Sequence, residues 1–369
     1  MPEYKVLACG SNGSYQLGIS NDEDQDTLQT VIFRHENGSK TNYIDSKPIK
    51  ISSGGNHTFI LTNTGILYSA GDNTYGQCAH PINPESTHTL EFTTVGGNNK
   101  WKDVSCGWEF SILMDDSDEI YVCGIGMKGE LGLGSNTKRS ELMKTSFELP
   151  SRIIDLKSSI NHTIIKLANG DLYGWGNCRK GQLGKQKAVV VNNKSKTRSI
   201  VWEPERLSFG EIDLQAYDLG RDCTVILNRN HQISIYGKGA ETYDCGDNVI
   251  DLKSMWSSNH YLVEDQNHLQ TIKSRGNNSH GQLFPKTRID FAKYEIGSEH
   301  GLVLTKQNTV YAWGWGEHGN CGIHTASVNE NNLEEKVTFD YLNCLYDGDD
   351  RVILLGAGCA TSWLCLQTK

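Results

Sequence analysis

Long apolar runs are missing from this chain of 369 residues. No stretch approaches the about 18 apolar residues of a membrane span, and the opening Met1-Pro2-Glu3-Tyr4-Lys5 carries no apolar signal region. A soluble, intracellular protein is the expectation. Proline is scarce, with 7 residues against 38 glycines, which suits many tight turns and excludes a collagen-like or disordered chain. None of the 11 cysteines forms C-x-x-C, and they are scattered from Cys9 to Cys365. Buried reduced thiols packing as small hydrophobes are therefore expected, not disulfides or a metal site. Positive charge is in deficit as well: the net charge is −9 and the sequence pI near 5.7, so the chain as a whole repels nucleic acid. The one basic stretch, Lys185, Lys187, Lys194, Lys196 and Arg198, lies in an insertion expected to be a solvated loop, with a tRNA contact as the alternative. Helical periodicity is nearly absent. So are G-x-S-x-G, a P-loop and any Cys/His nucleophile pairing in a plausible setting, and no catalytic residue, enzymatic activity or cofactor is expected.

What the chain does have is a repeat. A short apolar strand, a glycine, four variable residues and a second glycine recur, often followed by Gln and an apolar residue. Gly71 pairs with Gly76, Gly124 with Gly129, Gly176 with Gly181, Gly276 with Gly281 and Gly314 with Gly319. Gly10 opens the series with Tyr15 in the second slot, and Gly237 continues it with Thr242 there. The first glycines, at 10, 71, 124, 176, 237, 276 and 314, are separated by 61, 53, 52, 61, 39 and 38 residues. Such a period means one supersecondary unit per repeat, stacked on its neighbours. Nothing in composition divides the chain, so one domain over 1–369 is expected, able to bury about 75% of its unfolded surface without disulfide or metal.

Each unit also has an upstream half, as in Gly54-Gly55-Asn56-His57, Cys106-Gly107-Trp108 and Gly297-Ser298-Glu299-His300, followed by a turn and an apolar strand such as Ile120-Tyr121-Val122 or Val310-Tyr311. These runs are β-branched or aromatic and bounded by Gly, Asn and Asp, which is hairpin chemistry. Seven antiparallel units are best satisfied by an all-β, seven-bladed β-propeller, which leaves only short, protected edges. Residues from Arg351 to Leu366 form an upstream half with nothing after it, and residues from Tyr4 to Gly18 a downstream half with nothing before it. The two ends are expected to pair and complete one blade.

The best-formed copy, Gly176-Asn177-Cys178-Arg179-Lys180-Gly181-Gln182-Leu183-Gly184, resembles the repeat of the regulator of chromosome condensation family, whose members form seven-bladed propellers. A narrower resemblance, to the fungal alpha-tubulin suppressor (killer-toxin-insensitivity) branch, rests on the segments 274–285, Gly297-Ser298-Glu299-His300-Gly301 and 313–322, with Gly54-Gly55-Asn56-His57, Cys106-Gly107-Trp108 and Gly10-Ser11-Asn12-Gly13. That branch implies a non-catalytic partner of a small CSL-type zinc- or iron-binding electron-donor protein. The heterodimer would support diphthamide synthesis on elongation factor two and Elongator-dependent modification of tRNA wobble uridines, in the cytoplasm and also the nucleus. The family's namesake implies an alternative, a guanine-nucleotide exchange factor for a small GTPase. Unit five has lost its Gln-Leu-Gly end, and units six and seven are closely spaced, which points to a specialised surface around units six and seven.

The doublets Glu299-His300 and Glu317-His318 offer metal-ligating residue types, but nothing in their offset makes ligands converge. They are read instead as parts of a partner-binding rim with Trp315, Trp256 and Trp108, since interface anchors are enriched in Trp and loops carry function. For Trp315 and Trp256 an alternative role as plugs between blades stays open, and for Trp313 the plug is preferred. His57, His162, His260 and His300 share one repeat position, for which a structural role, bonding the neighbouring turn, is the simpler reading. Asp22, Asp24 and Asp26 have Thr27 where a calcium loop needs glycine and Phe33 where it needs glutamate, so they read as a solvated acidic loop.

Overall fold

The computed structural model describes residues 2–35, 37–96, 100–186, 188–191, 194–246, 248–324, 338 and 341–368. Among them there is no helix. The strands sort into seven sheets arranged as a seven-bladed propeller, plus the small hairpin Ala188–Val191/Lys194–Thr197. Blades are numbered here by the repeat glycines, so blade 1 carries Gly10 and blade 7 carries Gly314.

The first strand of each blade is innermost. Pro48–Ser53, Trp101–Cys106, Ile153–Ser158, Leu214–Leu219, Asn248–Ser254, Phe291–Ile296 and Arg351–Ala357 touch in succession and return to Pro48–Ser53, closing the ring around a channel. Backbone bonds between the loops after these strands stitch the ring: Gly55 N to Trp108 O (2.9 Å), Trp108 N to Ile160 O (3.0 Å), Trp256 N to Ser298 O (2.8 Å) and Ser298 N to Gly358 O (2.9 Å). The second strands, such as His57–Thr62, Phe110–Asp115 and His300–Thr305, are buried along their whole length because a neighbouring blade covers each face. That is why they read as continuous apolar and β-branched runs and not as alternating ones.

Blade 1 is closed by the two ends of the chain. Tyr4–Gly10 lies antiparallel to Thr361–Gln367 from Tyr4↔Gln367 to Gly10↔Thr361, flanked by Gln25–Thr30 and Arg351–Ala357. Thr368 N adds a bond to Glu3 O at 3.0 Å. Trp363, fully buried, meets Phe92 of blade 2 edge-on at 5.8 Å.

The turn glycines answer a backbone demand. At Gly124 φ is +103° and an added Cβ would stand 2.3 Å from Glu109 O, so both the left-handed conformation and the close approach require glycine. Gly124→Ala is expected to cost at least about 1–3 kcal/mol, read as a lowered midpoint in scanning calorimetry.

Four expectations need correction. Among the described residues blade 6 has three strands, ending at Gln270–Gly276, whose outer edge is paired with none of them. The close spacing of units six and seven has this physical origin: after the turn at 276–281 only residues 282–290 precede the next inner strand, too few for an outer strand and a return. The 61-residue steps come from additions instead: Phe33–Arg34 and Lys40–Thr41 extend blade 2, and the hairpin at 188–197 follows blade 4. That hairpin replaces the expected loop. Third, burial holds for eight of the cysteines, all eleven being free, whereas Cys245 and Cys359 are half-buried and Cys344 is exposed. Thr242, placed by the repeat in a turn, lies in the outer strand Glu241–Asp244 of blade 5.

Candidate functional site

In every blade the second strand begins opposite the end of the third. His57 faces Gly71, Phe110 faces Gly124, and His300 faces Gly314. The loops entering second strands and the glycine turns leaving third strands therefore open on one face of the ring. Trp108, Trp256, Glu299, Trp315, Glu317 and His318 all belong to that face.

The structure gathers them into a strip running outward from the channel mouth across blades 6 and 7. At the mouth, Trp108 of blade 3 and Trp256 of blade 6 meet with ring centroids 5.8 Å apart, and the Arg221 guanidinium lies 5.6 Å from the Trp256 ring. Trp108 remains 38% exposed, so an aromatic side chain that could be sheltered is left available. Next in line, Ser257 donates to Glu299 Oε2 at 2.7 Å. Burial raises the Glu299 carboxyl above the usual range, against the lowering influence of Ser257, Gln282, His280 and Arg221. Glu299 O in turn accepts from Trp315 N at 2.9 Å. Trp315 stacks on His280 at 4.2 Å and 16°. Beyond it Glu317 is exposed, and His318 Nδ1 contacts Asp24 Oδ2 of blade 1 at 2.7 Å. The arrangement is an aromatic strip with polar neighbours, and its geometry suits the anchoring of a polypeptide.

Comparison with known proteins bears on the repeat and the fold. The Regulator of chromosome condensation (RCC1) repeat matches residues 49–77 and 295–320, and a second profile of that name matches 64–114. An RCC1 repeat-containing protein of Schizosaccharomyces pombe is 28% identical, over 98% of this chain and 99% of its own length. Segments 49–114 and 295–320 of the chain are similar to RCC1 repeats, and the chain folds as a seven-bladed propeller. The bovine secretion-regulating guanine nucleotide exchange factor is 25% identical to it over 87% of the chain and 76% of that protein. The human E3 ubiquitin-protein ligase HERC2 is also 25% identical over 89% of the chain, which spans 6% of that much longer protein. Among solved structures, Prp20p of Saccharomyces cerevisiae superimposes with a TM-score of 0.75 at 14% identity, over 99% of this chain and 92% of that one, which speaks to the fold.

The RCC1 repeat's Gln has a local explanation. The Oε1 atoms of Gln16, Gln77, Gln182 and Gln282 accept from the backbone N of Ser14, Tyr75, Lys180 and His280, two residues earlier, and so hold the glycine turn in shape. Glu130 does the same for Lys128 N in blade 3. The tryptophans before two turn glycines are plugs, as expected of Trp313: Trp175 Nε1 donates to Glu130 O (2.8 Å) and Trp313 Nε1 to Gln282 O (3.0 Å), each reaching the preceding blade.

His300 does not belong to the docking strip. It is fully buried, with Nε2 3.0 Å from Ser362 Oγ of blade 1, because its strand is covered on both faces. His57 repeats the contact with Ser111 Oγ of the next blade at 2.8 Å. Those serines donate to Asn320 O and Gln77 O, the glycine turns of the histidines' own blades. His260 finds Gly301 in the corresponding place and turns to Ser258 and Ser274 instead. Among the described residues neither ring nitrogen of His162 has a hydrogen-bond partner. Burial lowers the pKa of His57, His162 and His300 to about 4 and that of His260 to about 3.

Of the basic stretch, Arg198 is engaged by Glu205 through two bonds of 2.6 and 2.9 Å and by Gln186. Lys196 is exposed. Lys187 and the side chain of Lys194 lie outside the described residues. Asp24 accepts from Asn12 N at 2.7 Å while contacting His318, so this acidic loop braces the join of blades 1 and 7.

Sequence reasoning missed His280, Arg221 and Ser257. His280 had a signal, since it precedes Gly281 as His318 precedes Gly319. Arg221 and Ser257 had none, because only ring curvature brings them to the strip.

Proposed function

We propose that this propeller is a non-catalytic docking scaffold whose strip Trp108–Trp256–Glu299–Trp315–Glu317–His318 grips another polypeptide. The observation that carries this is the line of exposed and half-buried tryptophans that runs outward from the channel mouth, assembled from blades 3, 6 and 7. The partner we infer is a small CSL-type zinc- or iron-binding electron-donor protein, in support of diphthamide synthesis and Elongator-dependent tRNA modification in the cytoplasm and nucleus. That identity rests on the resemblance of segments 274–285 and 313–322, which contribute His280, Trp315, Glu317 and His318 to the strip. An interface of about 800 Å² per side would cover it.

Trp315→Ala removes a stacked anchor and is expected to weaken the heterodimer by about 2 kcal/mol, or roughly thirtyfold in Kd, with thermal stability little changed. Glu317→Lys should act in the same direction. Titration calorimetry with the purified electron donor reads both, and unchanged affinity in the two variants would remove the strip from the interface. The similarity to the secretion-regulating guanine nucleotide exchange factor supports a second reading, nucleotide exchange on a small GTPase. Accelerated release of labelled GDP from a GTPase on adding the chain would favour it.

A further inference from the structure

In blades 1, 2, 3, 4 and 7 the glycine turn ends in a tip that is buried against the next blade. The residue after the repeat's Gln, or after Glu130 and Asn320 in its place, fills that tip. Leu17 lies in one core cluster with Phe92 of blade 2, Leu131 with Trp175 of blade 4, Leu183 with Tyr217 of blade 5 and Cys321 with Leu364 of blade 1. Cys78 is buried as well. The carbonyl just before the tip residue is held by the next blade: Gln77 O accepts from Ser111 Oγ at 2.8 Å, Gln182 O from Thr224 Oγ1 at 2.6 Å and Asn320 O from Ser362 Oγ at 2.7 Å. Those three donors share one register position, opposite the residue before the closing glycine of their third strand.

Blade 5 builds its turn differently. Gly237 leads through Lys238-Gly239-Ala240 directly into the outer strand Glu241–Asp244, with Ile235 already paired to Glu241. Where the tip would lie there is a cleft of about 330 Å³, walled by Cys223 and Ile235 of blade 5 and by Trp256 and Asn259 of blade 6. Blade 6 does not fill it from its own side. Where blades 4 and 7 set the plugs Trp175 and Trp313 it has Arg275, which is held by Glu241 through bonds of 3.0 and 2.7 Å and lies 4.4 Å from the Tyr243 ring. Asn259 holds the register position of Ser111, Thr224 and Ser362, opposite Arg275. It is 6% exposed, its Oδ1 accepts from Ser254 Oγ at 3.0 Å, and among the described residues no hydrogen bond engages its Nδ2. A buried donor left over in the wall of a cavity points to an acceptor that arrives from outside.

We propose that this cleft is the anchor pocket of the docking face, which takes from the partner protein what the other blades supply themselves: a tight turn with one aliphatic side chain, preceded by a carbonyl that accepts from Asn259 Nδ2. The inference rests on the docking reading above, because Trp256 is both a wall of the cleft and a member of the strip. An aliphatic side chain seated among Cys223, Ile235 and Trp256 fits the pattern in which a few deeply buried anchors carry most of an interface's energy. A carbonyl paired with Asn259 removes the cost of an unmet donor. A preformed turn also loses little conformational freedom on binding.

The test uses the full chain, isotope-labelled at Ile methyls and Trp indoles, and a cyclised peptide, Gly-Asn-Ser-Arg-Lys-Gly-Gln-Leu-Gly, which copies residues 176–184 with Ser for Cys178. The Ile235 methyl and Trp256 indole signals are expected to shift saturably, and the ring with Ala for Leu should bind at least about tenfold more weakly. Asn259→Asp, which trades the donor for an acceptor at the same size, should weaken the Leu ring by about tenfold. Asn259→Ser, which supplies a hydroxyl as in blades 1 and 3, should keep it. The electron-donor protein should displace the ring. No saturable shift, equal binding of the two rings, or an Asn259→Asp variant that binds as the unaltered chain does would overturn the proposal. A donor that needs Trp315 yet leaves the ring in place would overturn the cleft's part in the interface while the strip stands. A donor that does not bind at all strikes the partner inferred above, and the rings still decide the cleft. Shifts of the same two signals on replacing residues 325–337 by a Gly/Ser linker, with nothing added, would assign the cleft to the chain itself and overturn the proposal as well.

Discussion

A chain ending at Asp350 is expected to lose its cooperative thermal transition altogether. Removing residues 351–369 takes two of the four strands of blade 1, including the partner of Tyr4–Gly10 along its whole length. It also exposes apolar faces on both neighbours: Leu355, Leu364 and Leu366 pack with Leu302, Leu304 and Val310 of blade 7, and Trp363 packs with Phe92 of blade 2. A ring differs from a linear array because opening it leaves two unpaired ends at once, each presenting edges that promote aggregation. The milder variant Trp363→Ala keeps the chain intact and is expected to cost about 3–5 kcal/mol, a large part of the roughly 5–15 kcal/mol that holds a domain folded. Scanning calorimetry on both distinguishes the outcomes. A truncated chain that melts sharply near the full-length midpoint would mean that the join is not a structural necessity.

Acid should unfold this protein through its buried histidines. His57, His162, His260 and His300 have pKa values lowered by burial to about 3–4 in the folded state, against about 6.5 when unfolded. Below pH 6.5 the unfolded chain therefore binds more protons than the folded one, and stability falls as pH falls until the folded-state values are reached. Each such proton steepens the loss by about 1.4 kcal/mol per pH unit, so four together would exhaust an ordinary domain's stability before pH 4. Glu130 and Glu299, whose carboxyls burial raises, oppose this, whereas His80, likewise lowered to about 4 by burial, adds to it. His162→Leu removes one titrating group whose ring nitrogens make no bond among the described residues, so denaturant-derived stability should fall less steeply between pH 6.5 and 4, by about one proton. A slope unchanged in that variant would place the acid sensitivity elsewhere.

The parts of the fold legible in the sequence are those governed by local backbone chemistry. The turn glycines mark where φ must be positive, and the unfinished halves at Tyr4 and Leu366 require each other whatever the intervening blades do. Trp313 was readable as a plug because it precedes a turn glycine as Trp175 does. What escaped depends on the ring as a whole. Trp108 and Trp256 lie far apart along the chain and meet only because inner loops converge on the channel. His300 looked like its neighbour Glu299, yet adjacent residues at the start of a strand point to opposite sides, one to the rim and the other into the core. That blade 6 has three strands among the described residues left a trace only in spacing, because Gln270–Gly276 has the same closing glycine as strands that are covered. In the sequence Arg198 is one cation of a basic stretch, and only the fold of the flanking strand brings Glu205 beside it.

The central claim is that one face of this ring grips a protein. Hydrogen–deuterium exchange on the full chain, with and without the small electron-donor protein, tests it most directly. Slower exchange at 256–258, 276–281, 298–300 and 315–319 is the predicted result. Protection confined to the hairpins on the far side, at 63–66, 116–119 and 306–309, or no change anywhere at saturating donor, would contradict it.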